Sequence, residues 1–201
     1  MRWVLASGSP RRRELLTQIG ISYEVCPSDA DENIGSYEAP ELVRRLALLK
    51  GRSVASQQPD ACIISADTVV AAPDGEILGK PKDRSDAGRM LRELSGKPHT
   101  VYTGVCVLRT DGSRNMVRED CRVCATRVHF RNLSDAEIER YVDSGEPMDK
   151  AGAYGIQGRA SIFVRHLDGD YFCVMGLPLC PLAEMLRACG VRVLGDDGRG
   201  A

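Results

Sequence analysis

Cys62-Ile63-Ile64-Ser65-Ala66-Asp67-Thr68-Val69-Val70-Ala71-Ala72 is a run of small and β-branched residues interrupted only by one carboxylate and one hydroxyl. An apolar run of this kind, followed by the turn Pro73-Asp74-Gly75, reads as a strand buried on both faces near the middle of a sheet. Asp67 is its anomaly, and the strand is expected to end or bend there. Flanked by Ile63, Ile64, Val69 and Val70, a carboxylate that stays buried, charged and unpaired costs several kcal/mol. It should therefore meet a metal ion or a cation, or hold a proton. The plainer alternative is an Asp that caps a strand end through backbone N–H groups.

Upstream of this strand, Trp3 to Ala6 reads as a short strand. Ser9-Pro10 supplies an N-cap and a first-position proline for a helix with Leu15, Leu16 and Ile19 on its apolar face, closed by Gly20. A second short strand near Tyr23 to Pro27 leads into the acidic loop Asp29-Ala30-Asp31-Glu32, and Leu42, Val43, Leu46, Ala47 and Leu49 give helical periodicity from Pro40 to about Ser56. Downstream, Ile77-Leu78 precedes a helix from about Ser85 to Leu94. Val101, Thr103, Val105 and Val107 alternate as a strand, Asp111-Gly112 signals a hairpin, and Cys121 to Phe130 returns. Ser134 and Glu137 have capping-box spacing for a helix. A glycine-rich stretch from Asp149 to Gly158, a strand pair about Asp168-Gly169 and a helix from about Pro178 to Cys189 complete the pattern. Hairpins together with helical crossovers predict an α/β fold with a mixed sheet. One domain over 1–194 and a frayed tail over 195–201 are expected.

Charge narrows the function. Lys and Arg number 27 against 28 Asp and Glu, a net charge of -1, so the basic excess of a nucleic-acid binder is absent. No apolar run reaches the roughly 18 residues of a membrane span, and the short N-terminal apolar stretch is followed by three arginines, so a cytoplasmic location is the expectation. The 8 cysteines are scattered singly among aliphatic residues and read as buried free thiols. Cys121-Arg122-Val123-Cys124 lacks a second pair at zinc-binding spacing, and on a strand its two sulfurs point to opposite faces. His99, His129 and His166 are too dispersed to argue a nucleophile–base pair, although His99 follows a turn that could bring it near a site.

Ser7-Gly8-Ser9-Pro10-Arg11-Arg12-Arg13 places three cations in the first turn of a helix, where they oppose the macrodipole. Free backbone N–H groups, the Ser7 and Ser9 hydroxyls and a guanidinium, Arg11 foremost, together make a phosphate site; the alternative is pairing with surface carboxylates such as Glu14. In the stretch Asp149 to Gly158 the glycines allow close backbone approach to a ligand, and the Gln157 amide offers both a donor and an acceptor to a base edge.

Taken in order, Leu5-Ala6-Ser7-Gly8-Ser9-Pro10-Arg11-Arg12, Ala66-Asp67-Thr68-Val69-Val70, Gly79-Lys80-Pro81, Leu94-Ser95-Gly96, Glu146-Pro147-Met148-Asp149-Lys150-Ala151-Gly152-Ala153-Tyr154-Gly155-Ile156-Gln157-Gly158 and Met175-Gly176-Leu177-Pro178 resemble the successive motifs of the Maf family of nucleoside triphosphate pyrophosphatases. The resemblance spans nearly the whole chain. It implies an elongated mixed sheet with flanking helices and two lobes around a central cleft, similar to inosine triphosphate pyrophosphatases. The Ala-Tyr-Gly-Ile-Gln run resembles the branch acting on dTTP and UTP, with CTP or modified pyrimidine nucleotides as further candidates. Asp67 resembles the catalytic proton acceptor. Arg11, Thr68 and Gln157 fall on positions tied to substrate preference, and Ser7, Glu32, Lys50 and Lys80 resemble other polar residues of the cleft. The resemblance further implies a divalent cation, Mg²⁺ or Mn²⁺, at Asp67 and Glu32, a nucleoside triphosphate as the small-molecule partner, and compatibility with a homodimer. Two other readings stand beside it: a pyrophosphatase for a modified purine triphosphate such as 7-methyl-GTP or ITP, and a nucleotide-binding regulator of cell division.

Overall fold

Three long strands make up most of the sheet: β3 (Ala61–Ala71), β5 (Pro98–Thr110) and β6 (Met116–Phe130). The computed structural model describes residues 2–191 and 193; the tail expected at 195–201, and the domain boundary at 194, lie outside the described residues. The shorter strands are β1 (Arg2–Leu5), β2 (Glu24–Val25), β4 (Ile77–Leu78) and β7 (Val164–Asp168). Together they form one 7-stranded sheet in the order β2-β1-β3-β5-β6-β7, with β4 also on β3. β1 is parallel to β2 and β3, whereas β3, β5, β6 and β7 are antiparallel neighbours, which is the mixed sheet expected from the pattern.

The helices are α1 (Pro10–Gln18), α2 (Ala39–Ala55), α3 (Arg84–Leu94), α4 (Asp135–Asp143), α5 (Tyr171–Met175) and α6 (Leu179–Ala188). Both capping-box hydrogen bonds form between Ser134 and Glu137. At α1 the expectation is met only in part. Pro10 occupies the first turn, but Ser9 contributes extended backbone and no side-chain cap. The apolar residues separate into cores at the two ends of the sheet. Leu5, Leu16, Ile64, Leu182 and Leu186 pack beneath α1 and α6, and Ile63, Val54 and Leu108 pack beneath α2. Leu78, Leu91, Val128, Ile138 and Phe163 form the other, beneath α3 and α4.

Three expectations need correction. β3 neither ends nor bends out of pairing at Asp67: the register with β5 is unbroken from Cys62 to Ala71, with Asp67 opposite Gly104 and Thr68 opposite Thr103. Only the strand before Asp168-Gly169 exists. After it, Asp170 accepts a hydrogen bond from the Phe172 N–H at 2.8 Å and caps α5, so a short apolar run compatible with strand or helix is settled by its cap. The cysteines are not all buried free thiols. Cys106 and Cys121 lie directly opposite on β5 and β6, with Cα atoms 4.1 Å apart, and are joined by a disulfide. Cys180 is exposed, and Cys26 and Cys124 are half-buried. Register, which spacing along the chain does not reveal, created that pair.

Candidate active site

The sheet is interrupted at one place. One edge of β3 is paired with β5 throughout; the other pairs with β1 as far as Ile64 and with β4 only from Val70. Between these partners, from Ser65 to Val69, that edge is open, and Asp67-Thr68 lie at its middle. The turn Ser7-Gly8-Ser9 leaves β1 beside this gap and carries the N-terminus of α1 into it. The result is a cleft of about 970 Å³, at the upper end of ordinary small-ligand pockets.

Successive residues of a strand face opposite ways, so Asp67 and Thr68 belong to different walls. Asp67 lies on the α2 side with Ser65 and is nearly buried. Its Oδ1 accepts from Lys50 Nζ at 2.6 Å, and the same ammonium contacts Glu32 Oε2 at 2.9 Å. The buried carboxylate of the opening motif has thus met a cation, one of the outcomes its cost requires. α2 can approach closely enough to deliver Lys50 because Ser65 Oγ donates to the Ala47 carbonyl at 2.7 Å and because Gly104, opposite Asp67, has no side chain. A Cβ at Gly104 would fall 2.6 Å from the Val43 carbonyl carbon.

Thr68 faces α1 and α5. Its hydroxyl bonds to Thr103 Oγ1 at 2.9 Å, and Thr103 donates to the Cys173 carbonyl at 2.8 Å. Arg12 closes this wall. Its guanidinium donates to the Gly176 carbonyl at 2.8 Å, Ser7 Oγ at 3.0 Å and Thr68 Oγ1 at 3.3 Å. Burial pulls the Arg12 pKa below its ordinary value, while Asp67 acts in the opposite direction. Sequence reasoning singles out Arg11 among the three arginines. Arg11 does line the cleft, but Arg12 is the one locked into the wall, and Arg13 points out to solvent. The signal for Arg12 was its place in the same first turn; nothing local says which arginine turns inward.

The structure brings all the remaining sequence candidates to this cleft: Ser7, Arg11, Glu32, Lys50, Lys80 and Gln157 line it together with Asp67 and Thr68. Among the described residues Arg11 and Lys80 make no ion pair, the proposed pairing with Glu14 included. Gln157 is exposed in the opposite wall, on a segment wound into 3-10 turns at Glu146–Asp149, Ala151–Ala153 and Arg159–Phe163. Burial pushes the Asp149 carboxyl up, but Lys150 and then Arg11 outweigh it and hold it below its ordinary value. His99 is structural. It is 2% exposed, bonds Tyr154 Oη at 2.9 Å, and packs edge-on against Phe130. His129 and His166 meet across β6 and β7, away from the cleft.

The family model described as "Maf-like protein" matches residues 2–189. The chain belongs to the Maf family. Among Maf relatives, the dTTP/UTP pyrophosphatase of Pelotomaculum thermopropionicum is 48% identical over 192 residues, covering 95% of this chain and 98% of the relative. That of Moorella thermoacetica is 48% identical over 96% of this chain and 97% of its own, and that of Bacillus anthracis 44% over 94% and 96%. Among solved structures, the Staphylococcus aureus Ham1 protein superposes with a TM-score of 0.52 at 13% identity, covering 94% of this Maf chain and 99% of its own. A HAM1 protein from Coxiella burnetii gives 0.51 at 16% identity over 94% and 99%. At those identities the likeness concerns the fold alone. Among the described residues no helix is long and apolar enough to cross a membrane.

Proposed function

We propose that the chain hydrolyses dTTP and UTP between the α- and β-phosphates, releasing the nucleoside monophosphate and pyrophosphate. The observation that carries this reading is the Lys50 bridge between Asp67 and Glu32 at the open edge of β3, beside the uncapped N-terminus of α1. Carboxylates able to take a proton, a helix start able to hold a phosphate and the cations Arg11, Arg12 and Lys80 occupy one cleft. The names of relatives 44–48% identical supply the pyrimidine triphosphate.

A divalent cation fits the donors. Asp67 and Glu32 offer hard oxygens that converge on the same ammonium, and Mg²⁺ or Mn²⁺ ordinarily takes one or two carboxylates together with substrate phosphates. Asp67 and Glu32 would hold it, and when bound it supplies charge neutralisation on the phosphate oxygens. The protein's own groups do the rest. The α1 N-terminus, Ser7 and Arg12 hold phosphate oxygens. Asp67, fixed by Lys50, accepts the proton of the water that attacks the α-phosphorus. Arg11 and Lys80 offset the charge on the departing pyrophosphate, and Gln157 meets the base.

The test is pyrophosphate release by the wild type and Asp67→Asn, with Mg²⁺ or Mn²⁺, across dTTP, UTP, CTP, GTP, ITP and 7-methyl-GTP. The substitution should lower kcat at least about 100-fold, as loss of a general base does, without lowering Tm. A variant turning over near the wild-type rate removes Asp67 from the mechanism. Preference for a purine triphosphate overturns the substrate.

A further inference from the structure

The segment that presents Gln157 is neither helix nor strand from Tyr154 to Gly158, so its conformation is fixed by what it leans on. Glu146 is the centre of that support. Its Oε1 accepts from Tyr141 Oη at 3.0 Å, and its Oε2 accepts from the Arg159 N–H at 3.1 Å. The Tyr141 hydroxyl in turn accepts from the Gly155 N–H at 3.3 Å. One phenol and one carboxylate therefore hold both ends of the segment Gly155 to Arg159, with Gln157 midway between them.

The glycines in this segment leave room for the Glu146 and Lys150 side chains to lie against its backbone. A Cβ at Gly158 would fall 2.5 Å from Glu146 Cδ, and one at Gly155 would fall 2.6 Å from Lys150 Cε. Lys150 completes the support by donating to the Glu146 carbonyl at 2.6 Å while pairing with Asp149. Tyr141 is buried on α4 and cannot follow the segment if it moves. Both Glu146 oxygens are engaged by the protein, so Glu146 borders the cleft as a support rather than as a free ligand.

We propose that Glu146 and Tyr141 are positioning residues for base selection: they fix the frame in which the Gln157 amide and the adjoining backbone meet the pyrimidine edge. The inference rests on the nucleotide reading of the cleft. Phosphate binding and proton transfer belong to the opposite wall, at Ser7, Arg12, Lys50 and Asp67. Loosening the Gln157 segment should therefore alter recognition and leave the chemical step in place.

The experiment compares wild type, Glu146→Ala, Glu146→Gln and Tyr141→Phe by kcat and KM for UTP, CTP and GTP, by hydrogen exchange at the Gly155 and Arg159 amides, and by calorimetric affinity for UTP and GTP. Glu146→Ala should raise KM for UTP about tenfold with kcat within about threefold, cut the preference for UTP over GTP about tenfold, and lose protection at Arg159. Glu146→Gln keeps one acceptor oxygen for the Arg159 N–H and turns an amide N–H toward the Tyr141 hydroxyl, which can accept it, so it should recover protection at Arg159 and part of the preference. Tyr141→Phe should lose protection at Gly155 and show an intermediate KM. Wild-type base preference in Glu146→Ala despite lost amide protection overturns the proposal. So does a fall confined to kcat. If the wild type hydrolyses none of these nucleotides, the functional reading fails separately, and the affinities then decide: Glu146→Ala must narrow the UTP-to-GTP ratio, and an unchanged ratio overturns the proposal.

Discussion

Substituting Gly104 by alanine tests whether the spacing between α2 and the sheet sets the catalytic geometry. A Cβ at Gly104 lies 2.6 Å from the Val43 carbonyl carbon and 3.0 Å from the Arg44 nitrogen, where ordinary contact begins at 3.4 Å. Both neighbours are helix backbone, which no side-chain rotation can relieve, so α2 must retreat by roughly 1 Å. The displacement is transmitted along the rigid helix to Ala47, whose carbonyl accepts from Ser65 at 2.7 Å, and to Lys50, whose contact with Asp67 is 2.6 Å. Overpacking of this kind costs about 1–3 kcal/mol of stability. A misplacement near 1 Å at a reacting group costs about 100-fold in rate. Gly104→Ala should therefore lose between about tenfold and 100-fold in kcat for pyrophosphate release from UTP, with thermal unfolding monitored in parallel to establish that the variant is folded. The flexible lysine stem is the competing effect. A folded variant with lowered Tm and wild-type kcat would show that the stem absorbs the shift, and the claim that Gly104 sets the geometry would fall.

Two further outcomes follow from the same geometry. Arg12→Ala removes donors from Gly176, Ser7 and Thr68, which should cost about 1–3 kcal/mol in chemical denaturation as well as activity; Arg12→Lys should not restore either, because an ammonium lacks the planar fork. Full stability in both variants would remove Arg12 from the wall. Burial lowers the His99 pKa from 6.5 to about 4. Between those values the unfolded chain binds a proton that the folded chain does not, so stability rises with pH across the window and is lost on acidification. At 1.36 kcal/mol per unit this amounts to about 3 kcal/mol, read as the urea midpoint from pH 7 to pH 4. His99→Gln should flatten that limb, and an equal slope in variant and wild type refutes the assignment.

How far the molecule is legible in its sequence depends on whether the cause is local. β3 could be read because its burial on both faces is written into consecutive residues, and α4 because its capping box lies within one turn. Asp67 stood out because a carboxylate in such a run needs a partner. What remained hidden has distant causes. The Cys106–Cys121 link depends on β5–β6 register, α5 on a cap rather than on its composition, and the choice of Arg12 over Arg11 on a carbonyl 164 residues away. A step of about 100° along a helix separates the two arginines, and only the fold decides which faces Gly176. The role of Glu146 is hidden for the same reason. In sequence it heads the stretch Glu146 to Gly158 with nothing local to say what it does, and only the return of Arg159 reveals what it holds.

The interruption in the sheet explains why one dipeptide can organise both walls. In an unbroken sheet Asp67 and Thr68 would project into separate layers, one under α2 and the other under α1 and α5, and no ligand could reach both. With β1 ending at Leu5 and β4 pairing only from Val70, the open edge joins the two layers. Asp67 then meets Lys50 and Glu32 from one side while Thr68 meets Arg12 from the other. The same arrangement reconciles a net charge of -1 with a polyanionic ligand. Arg11, Arg12, Lys50 and Lys80 are gathered at one gap, where low-dielectric walls focus their field, and the surface outside the cleft needs no basic excess.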